Sequence, residues 1–348
     1  MIMQLGLTSI FRFLDAAPSD TLVLATIIKT TGASYRKAGA MMLIDEQLRS
    51  SGLISGGCLE DDLKAHARSV FETGNAKTVL YDLSTGDDAT LWGLGLGCGG
   101  EITILMERIS PTNHYGGLAA LRTHWQNGVS CGLVKIVAHA DDEQVGHFAV
   151  CLPGQRVASE FGMGRFEMSD RAVTAATSVA QILATPVSPA NRLLVCGGGP
   201  DAIPLVHFAS QLFWSVTVAD HRPAYLTAEN FPGAESLMCS EPASTPRSVF
   251  EHLHGAVIMT HNVTRDVEWL KILVELDLPY LGILGPVARR DALLELSGID
   301  QKTRLYGPAG LDLGAVLPEE IALSIMSEIH AVINGRPGSS LALMRNST

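Results

Sequence analysis

Residues 192–202 read RLLVCGGGPDA, a short β-prone apolar run that breaks into three glycines and continues into a helical pattern. Few sequence features constrain a fold more. Gly197, Gly199 and Ala202 fit the Gly-x-Gly-x-x-Gly/Ala fingerprint, in which missing side chains let backbone amides approach a pyrophosphate at a helix N-terminus. Pro200 suits the first turn, where its absent N–H has no intrahelical partner to lose. A second β-prone run, SVTVAD, ends at Asp220, 23 residues after Gly197, where an acid accepts the ribose hydroxyls of an adenosine half. Arg222 would instead favour a 2′-phosphate, so NAD and NADP both stay open as ligands.

Strands at 193, 215, 256 and 279 alternate with helical patterns, which predicts a doubly wound parallel sheet with right-handed crossovers. Thr260-His261 and the glycines Gly282 and Gly285 fall at the ends of later strands, where ligands of such sheets gather. His261 and Asp266 are candidates for catalysis; a strand-end histidine that merely caps a helix is the plainer reading. The expected fold class is therefore α/β, an N-terminal α/β domain followed by a Rossmann-like domain. At 348 residues two cores are expected, and the small residues and prolines of 184–191 place the boundary between 1–188 and 189–348.

In the first half, Thr21–Ile28 and Ala40–Ile44 read as strands covered on both faces, followed by a helix that ends near Gly74. Strands are expected at Lys77–Leu83 and Glu101–Glu107, a helix at Leu118–Gln126, a hairpin over 132–152 and a second helix at Arg171–Leu183. Ser55, Gly56, Gly57 and Cys58 stand at a helix start, where the dipole and nearby amides favour a thiolate. Glu60 is placed either to carry protons or to complement the dipole. Gly97, Cys98 and Gly99 form a second glycine-rich thiol loop. Arg36 and Lys37 are natural phosphate partners, unless they only solvate their turn.

Cys131, Cys151, Cys196 and Cys239 lie in or beside apolar runs and are expected to be buried and inert. No CxxC pair occurs, so neither a disulfide framework nor a zinc spacing is expected. The net charge of −11 with no basic stripe argues against nucleic acid, and no apolar run reaches the ~20 residues that span a bilayer. No secretion signal is read at the start, so a cytoplasmic protein is expected.

Taken together, GASYRKAGAMMLI, GLISGGCLEDDL, GLGLGCGGEITILME, LLVCGGGPDAIPLVHFA, VTVADHRP, MTHNVTRD, YLGILG and GPAGLDLG resemble the XdhC/CoxI family, accessory proteins of xanthine dehydrogenase and related molybdenum hydroxylases. The likeness spans nearly the whole chain. It implies a chaperone that binds molybdenum cofactor, in its molybdopterin or nucleotide form, and supports its sulfuration and insertion. The partners implied are the hydroxylase, a cysteine desulfurase and a second copy of the chain in a homodimer. Cys58 or Cys98 would be a contact of the molybdenum cofactor, with no metal ligand otherwise assigned. The chain departs from the family pattern at Tyr35, where proline is usual, and at GPVARR, where GSRRK is usual. A NAD(P)-dependent oxidoreductase acting on a pterin- or purine-like substrate is the alternative.

Overall fold

The structure is a computed structural model that describes residues 4–16, 20–32, 34–82, 100–169, 171–177 and 180–344. The chain divides into two compact units, Met1–Pro189 and Ala190–Thr348.

The first unit opens with α1 (Gln4–Ala16), whose Leu7, Ile10 and Phe11 share one helical face and pack inward. Strands β1 (Leu22–Gly32), β2 (Met41–Ile44), β3 (Ser50–Gly52), β4 (Lys77–Asp82) and β5 (Gly100–Ile109) form an antiparallel sheet in the order β3-β2-β1-β5-β4. The central β1 is buried on both faces. Val23, Ala25 and Ile27 join one core with Leu63, Ala67 and Val70 of α2 (Glu60–Thr73), while Leu22 and Leu24 join another with α1. Gly74 ends α2 at φ +75°, its N–H bonded to the Val70 carbonyl.

A second antiparallel sheet, in the order β7-β6-β9-β8, contains β6 (Cys131–His139), β7 (Phe148–Cys151), β8 (Val173–Ala176) and β9 (Ala180–Val187), and it follows α3 (Leu118–Gln126). The helix expected at Arg171–Leu183 is thus a pair of strands. Its alanines favour a helix locally, but pairing of β9 along the whole of β6 overrides that preference. Pro186 is tolerated because β8 pairs with β9 only as far as Ala184, leaving that side of the proline without a ladder bond to lose.

The second unit is a parallel sheet in the order β12-β11-β10-β13-β14, built from β10 (Arg192–Cys196), β11 (Ser215–Asp220), β12 (Ser236–Cys239), β13 (Gly255–Ile258) and β14 (Tyr280–Ile283). Leu193 and Val195 face α4 (Ala202–Gln211) and α7 (Pro318–Ile333). Leu194 and Cys196 face α5 (Val263–Val274) and α6 (Val287–Ser297). Strand order reverses at β10, so the crevice beyond the carboxyl ends of β10 and β13 is the place where such sheets bind ligands. The edge strand β12 carries little sequence signal, since SLMC is short and only half-buried. For the same reason Cys239 is exposed and not the buried thiol expected, whereas burial holds Cys131 up to about 11 and raises Cys196 and Cys151. No helix among the described residues is long and apolar enough to cross a membrane.

In the second sheet the Phe166 ring lies over Gly132, where a Cβ would fall 2.0 Å from Cζ. Gly132→Ala is expected to destabilise the first unit by about 2 kcal/mol in denaturant unfolding. Gly164→Ala, with open space around it, should change stability by less than about 0.5 kcal/mol. Equal effects would contradict this packing.

Candidate functional site

Chain direction and glycine together shape the loop after β10. Gly197 has φ +119°, and a Cβ there would stand 2.4 Å from the Met259 carbonyl oxygen, so only glycine fits. Its N–H bonds the Ala219 carbonyl at 2.8 Å, continuing the ladder one residue past the strand. Gly198 donates its N–H to Oδ2 of Asp220 at 2.7 Å. Among the described residues, the N–H groups of Gly199 and Asp201 have no acceptor. Both stand just before α4, whose first residue Ala202 is fully buried, so the helix dipole adds to two available donors.

Asp220 is itself buried, and the loop depends on it. Oδ2 accepts from Gly198 and from Nη2 of Arg222 at 2.8 Å, and Oδ1 accepts from the Arg222 backbone at 2.8 Å and from its Nε at 3.0 Å. Burial alone would raise its pKa, but these donors, led by the Arg222 side chain, hold it down at about 2. The four acceptor positions of a carboxylate are then filled, which leaves none for the ribose hydroxyls expected there. Arg222 in turn lies over the Tyr225 ring, 4.2 Å from its centroid.

His261 follows β13 at φ +58°, a strained conformation for a residue with a side chain. Its Nε2 meets Oδ2 of Asp201 at 2.6 Å, tying the β13 loop to the glycine loop, while the ring remains largely exposed. Sequence spacing gives Asp201 no distinction, because it occupies a variable place inside the fingerprint. Asp266 is buried and turned inward, accepting from Thr260 Oγ1 and from Nη2 of Arg289, both at 2.5 Å. Gly285, at φ +121°, leaves room for that arginine; a Cβ would lie 2.6 Å from its Cδ. Gly282 makes space for the Tyr280 ring, which stacks on Tyr306 and donates its hydroxyl to Glu328 at 2.7 Å. Asp266, Gly282 and Gly285 therefore brace the β13 and β14 loops from within.

In the first unit, Ser55 and Glu60 close the loop that carries Cys58. Glu60 Oε1 accepts from the Ser55 N–H at 2.8 Å and its Oε2 from the Ser55 hydroxyl at 2.5 Å. The same hydroxyl accepts the N–H groups of Cys58 and Leu59, both at 2.9 Å. Burial would raise the Glu60 pKa, yet these hydrogen bonds prevail and lower it, so Glu60 is an ionised anchor in this geometry. The amides expected to serve the thiol are thus taken by Ser55, and the acids Glu60, Asp61 and Asp62 occupy the first turn of α2. Cys58 remains half-exposed, flanked by exposed Gly56 and Gly57, the latter at φ +104°. The Tyr35 ring passes 4.0 Å from the point where a Gly56 Cβ would stand, so the turn holding half-buried Arg36 adjoins this loop. Lys37 is exposed and bonds Ser34 at 3.1 Å. Gly97, Cys98 and Gly99 lie outside the described residues, but Gly100 opens β5 opposite Gly32, beside the same turn. Among the described residues no cluster of His, Cys, Asp and Glu could hold a metal ion.

Comparison with known proteins adds to this geometry. Residues 16–82 match the family described as XdhC and CoxI, and residues 193–329 match the XdhC Rossmann domain. A probable xanthine dehydrogenase subunit of Bacillus subtilis is 33% identical over 91% of this chain and 95% of its own length. The molybdenum cofactor insertion chaperone PaoD of Escherichia coli is 24% identical over 89% of this chain and 83% of its own. A crystal structure described as a xanthine dehydrogenase from Bacillus halodurans superposes with a TM-score of 0.76 at 34% identity, covering 96% of this chain and 98% of that one.

Replacing the buried carboxylate tests the clamp. Its folded pKa is depressed, so its contribution is present above the unfolded value near 4 and is lost as pH falls towards 2. Asp220→Asn should cost the second unit about 2 kcal/mol at neutral pH and remove that acid dependence, read from unfolding at a series of pH values. Parallel pH profiles for the two proteins would refute the clamp.

Proposed function

Because the chain belongs to the XdhC and CoxI family, we propose that it serves a xanthine dehydrogenase-type molybdenum hydroxylase as an accessory protein, binding molybdenum cofactor and supporting its sulfuration and insertion. The cofactor is cargo in this reading. A cysteine desulfurase is the source of the sulfur, and the working form is a homodimer.

The observation that carries the reading is the combination within one chain of a glycine turn with two free amides and a loop thiol left accessible by its own anchors. Molybdopterin is a phosphorylated dithiolene, so amide donors suit its phosphate and a soft sulfur suits its metal. In the second unit the amides of Gly199 and Asp201 would suit a phosphate. In the first unit Cys58 would offer its soft sulfur, with Gly56 and Gly57 admitting the ligand closely for lack of side chains. His261, fixed by Asp201, stands at the rim of the glycine turn and would orient what enters. The insertion chaperone among the relatives, similar over most of both chains, supports the same reading. The nicotinamide alternative has less support, because Asp220 offers a ribose no vacant acceptor position while Arg222 is in place.

Protein purified from cells that make molybdopterin should carry a pterin that becomes fluorescent on oxidation, and Cys58→Ala should lose most of it while folding normally. Wild-type protein without pterin, together with saturable stabilisation by NAD or NADP in thermal unfolding, would move the assignment to the oxidoreductase.

A further inference from the structure

A cleft of about 400 Å³ in the first unit is lined by Glu107 and Arg108 of β5, Gly146 and Phe148 at the β6–β7 connection, and Glu143 and His147 beside them. Its volume is within the range that holds small molecules. Glu107 is 6% exposed and Lys135 is 1% exposed, and Nζ of the lysine donates to Oε1 of the glutamate at 2.6 Å. The other oxygen, Oε2, is buried and has no hydrogen-bond partner among the described residues. A buried carboxylate oxygen pays its desolvation without return unless a donor reaches it, so native proteins seldom leave one unmatched.

Gly146 explains how a donor could arrive. It has φ +93°, and a Cβ there would stand 3.9 Å from Oε2, so at position 146 no side chain lies against this oxygen and a small shift of bare backbone opens it to the cleft. Phe148 gives the cleft an apolar wall.

Charge selects the guest. Lys135 already neutralises Glu107, so a cation would face the lysine in a poorly solvated place and an anion would face the carboxylate. Exposed Arg108 and Glu143 on the lining have opposite signs and add no net charge. A neutral N–H satisfies Oε2 without disturbing the ion pair.

We propose that this cleft, joining the unmatched Oε2 of Glu107 to the bare backbone at Gly146, binds a small neutral ligand that presents an N–H donor on a flat ring, a carboxamide or a ring lactam. The site is independent of the cargo reading, since every lining residue belongs to the first unit and neither Cys58 nor the glycine turn takes part.

Three isosteric probes separate the possibilities on the full chain: benzamide, benzamidine and benzoate. In calorimetry and amide NMR of the wild type, benzamide should bind saturably and move the Gly146 resonance, benzamidine should bind at least about tenfold more weakly, and benzoate should not bind. Glu107→Leu combined with Lys135→Met removes both charges while keeping the bulk, and should weaken benzamide by about tenfold or more. The wild-type probe series stands without that variant should it fail to fold. An unmoved Gly146 resonance at millimolar benzamide, equal affinity for all three probes, or undiminished binding by a folded double variant would each overturn the proposal; the first would leave Oε2 to water alone.

Discussion

The second unit turns on one buried carboxylate. Asp220, at the end of β11, gathers four donors: the Gly198 amide, the Arg222 amide and two nitrogens of the Arg222 guanidinium. Hydrogen bonds to an ionised buried group are among the strongest a protein makes, so this cluster fixes the glycine turn before any ligand comes near. Gly197 supplies the steric half of the constraint, lying against the Met259 and Thr260 backbone where a Cβ has no room. Since Gly198 is spent on Asp220, the donors left over are Gly199 and Asp201, and they stand where the dipole of α4 begins. Two N–H groups without an acceptor thus stand at the start of α4, on the same turn as the Asp201 carboxylate that holds His261.

A carboxylate does similar work in the first unit. Glu60 and the Ser55 hydroxyl tie together the backbone of residues 54–59 and present Cys58 at the surface without donating amides to it. Both anchoring acids have lowered pKa values, and in both cases the cause is hydrogen bonding that outweighs burial. Acids that look catalytic in a motif are here the struts of loops. The chemistry left exposed is softer and more general: main-chain N–H groups, a thiol and the strained His261.

Much of this was legible in the sequence because the signals are local. A strand that breaks into GGGPDA and then a helix is written in consecutive residues, and so is the SGGC turn ahead of a helix with apolar residues at 63, 67 and 70. What stayed hidden depends on residues far apart in the chain. No spacing indicates that His261 would reach back to Asp201 or that Arg289 would neutralise Asp266, and although Arg222 stands only two residues from Asp220, the sequence does not show its side chain turning back to fill that carboxylate. The helix expected over 171–183 fails for the same reason, as an alanine-rich segment became strand only through its pairing with β6. Gly282 and Gly285 looked like openings for a ligand, whereas they make room for Tyr280 and Arg289. Glu107 and Lys135 gave no signal at all, since Glu107 sits among the charged residues Glu101 and Arg108 of β5 with nothing to mark it, and Lys135 is a lone lysine in a largely apolar strand.

The glycine turn leaves the N–H groups of Gly199 and Asp201 without an acceptor, open to an anion. Amide NMR of the labelled full chain titrated with inorganic pyrophosphate reads those groups one by one. Saturable shifts are expected at Gly199 and Asp201, with a smaller change at Gly198, whose N–H remains with Asp220. Saturation elsewhere with these two resonances unmoved would contradict this.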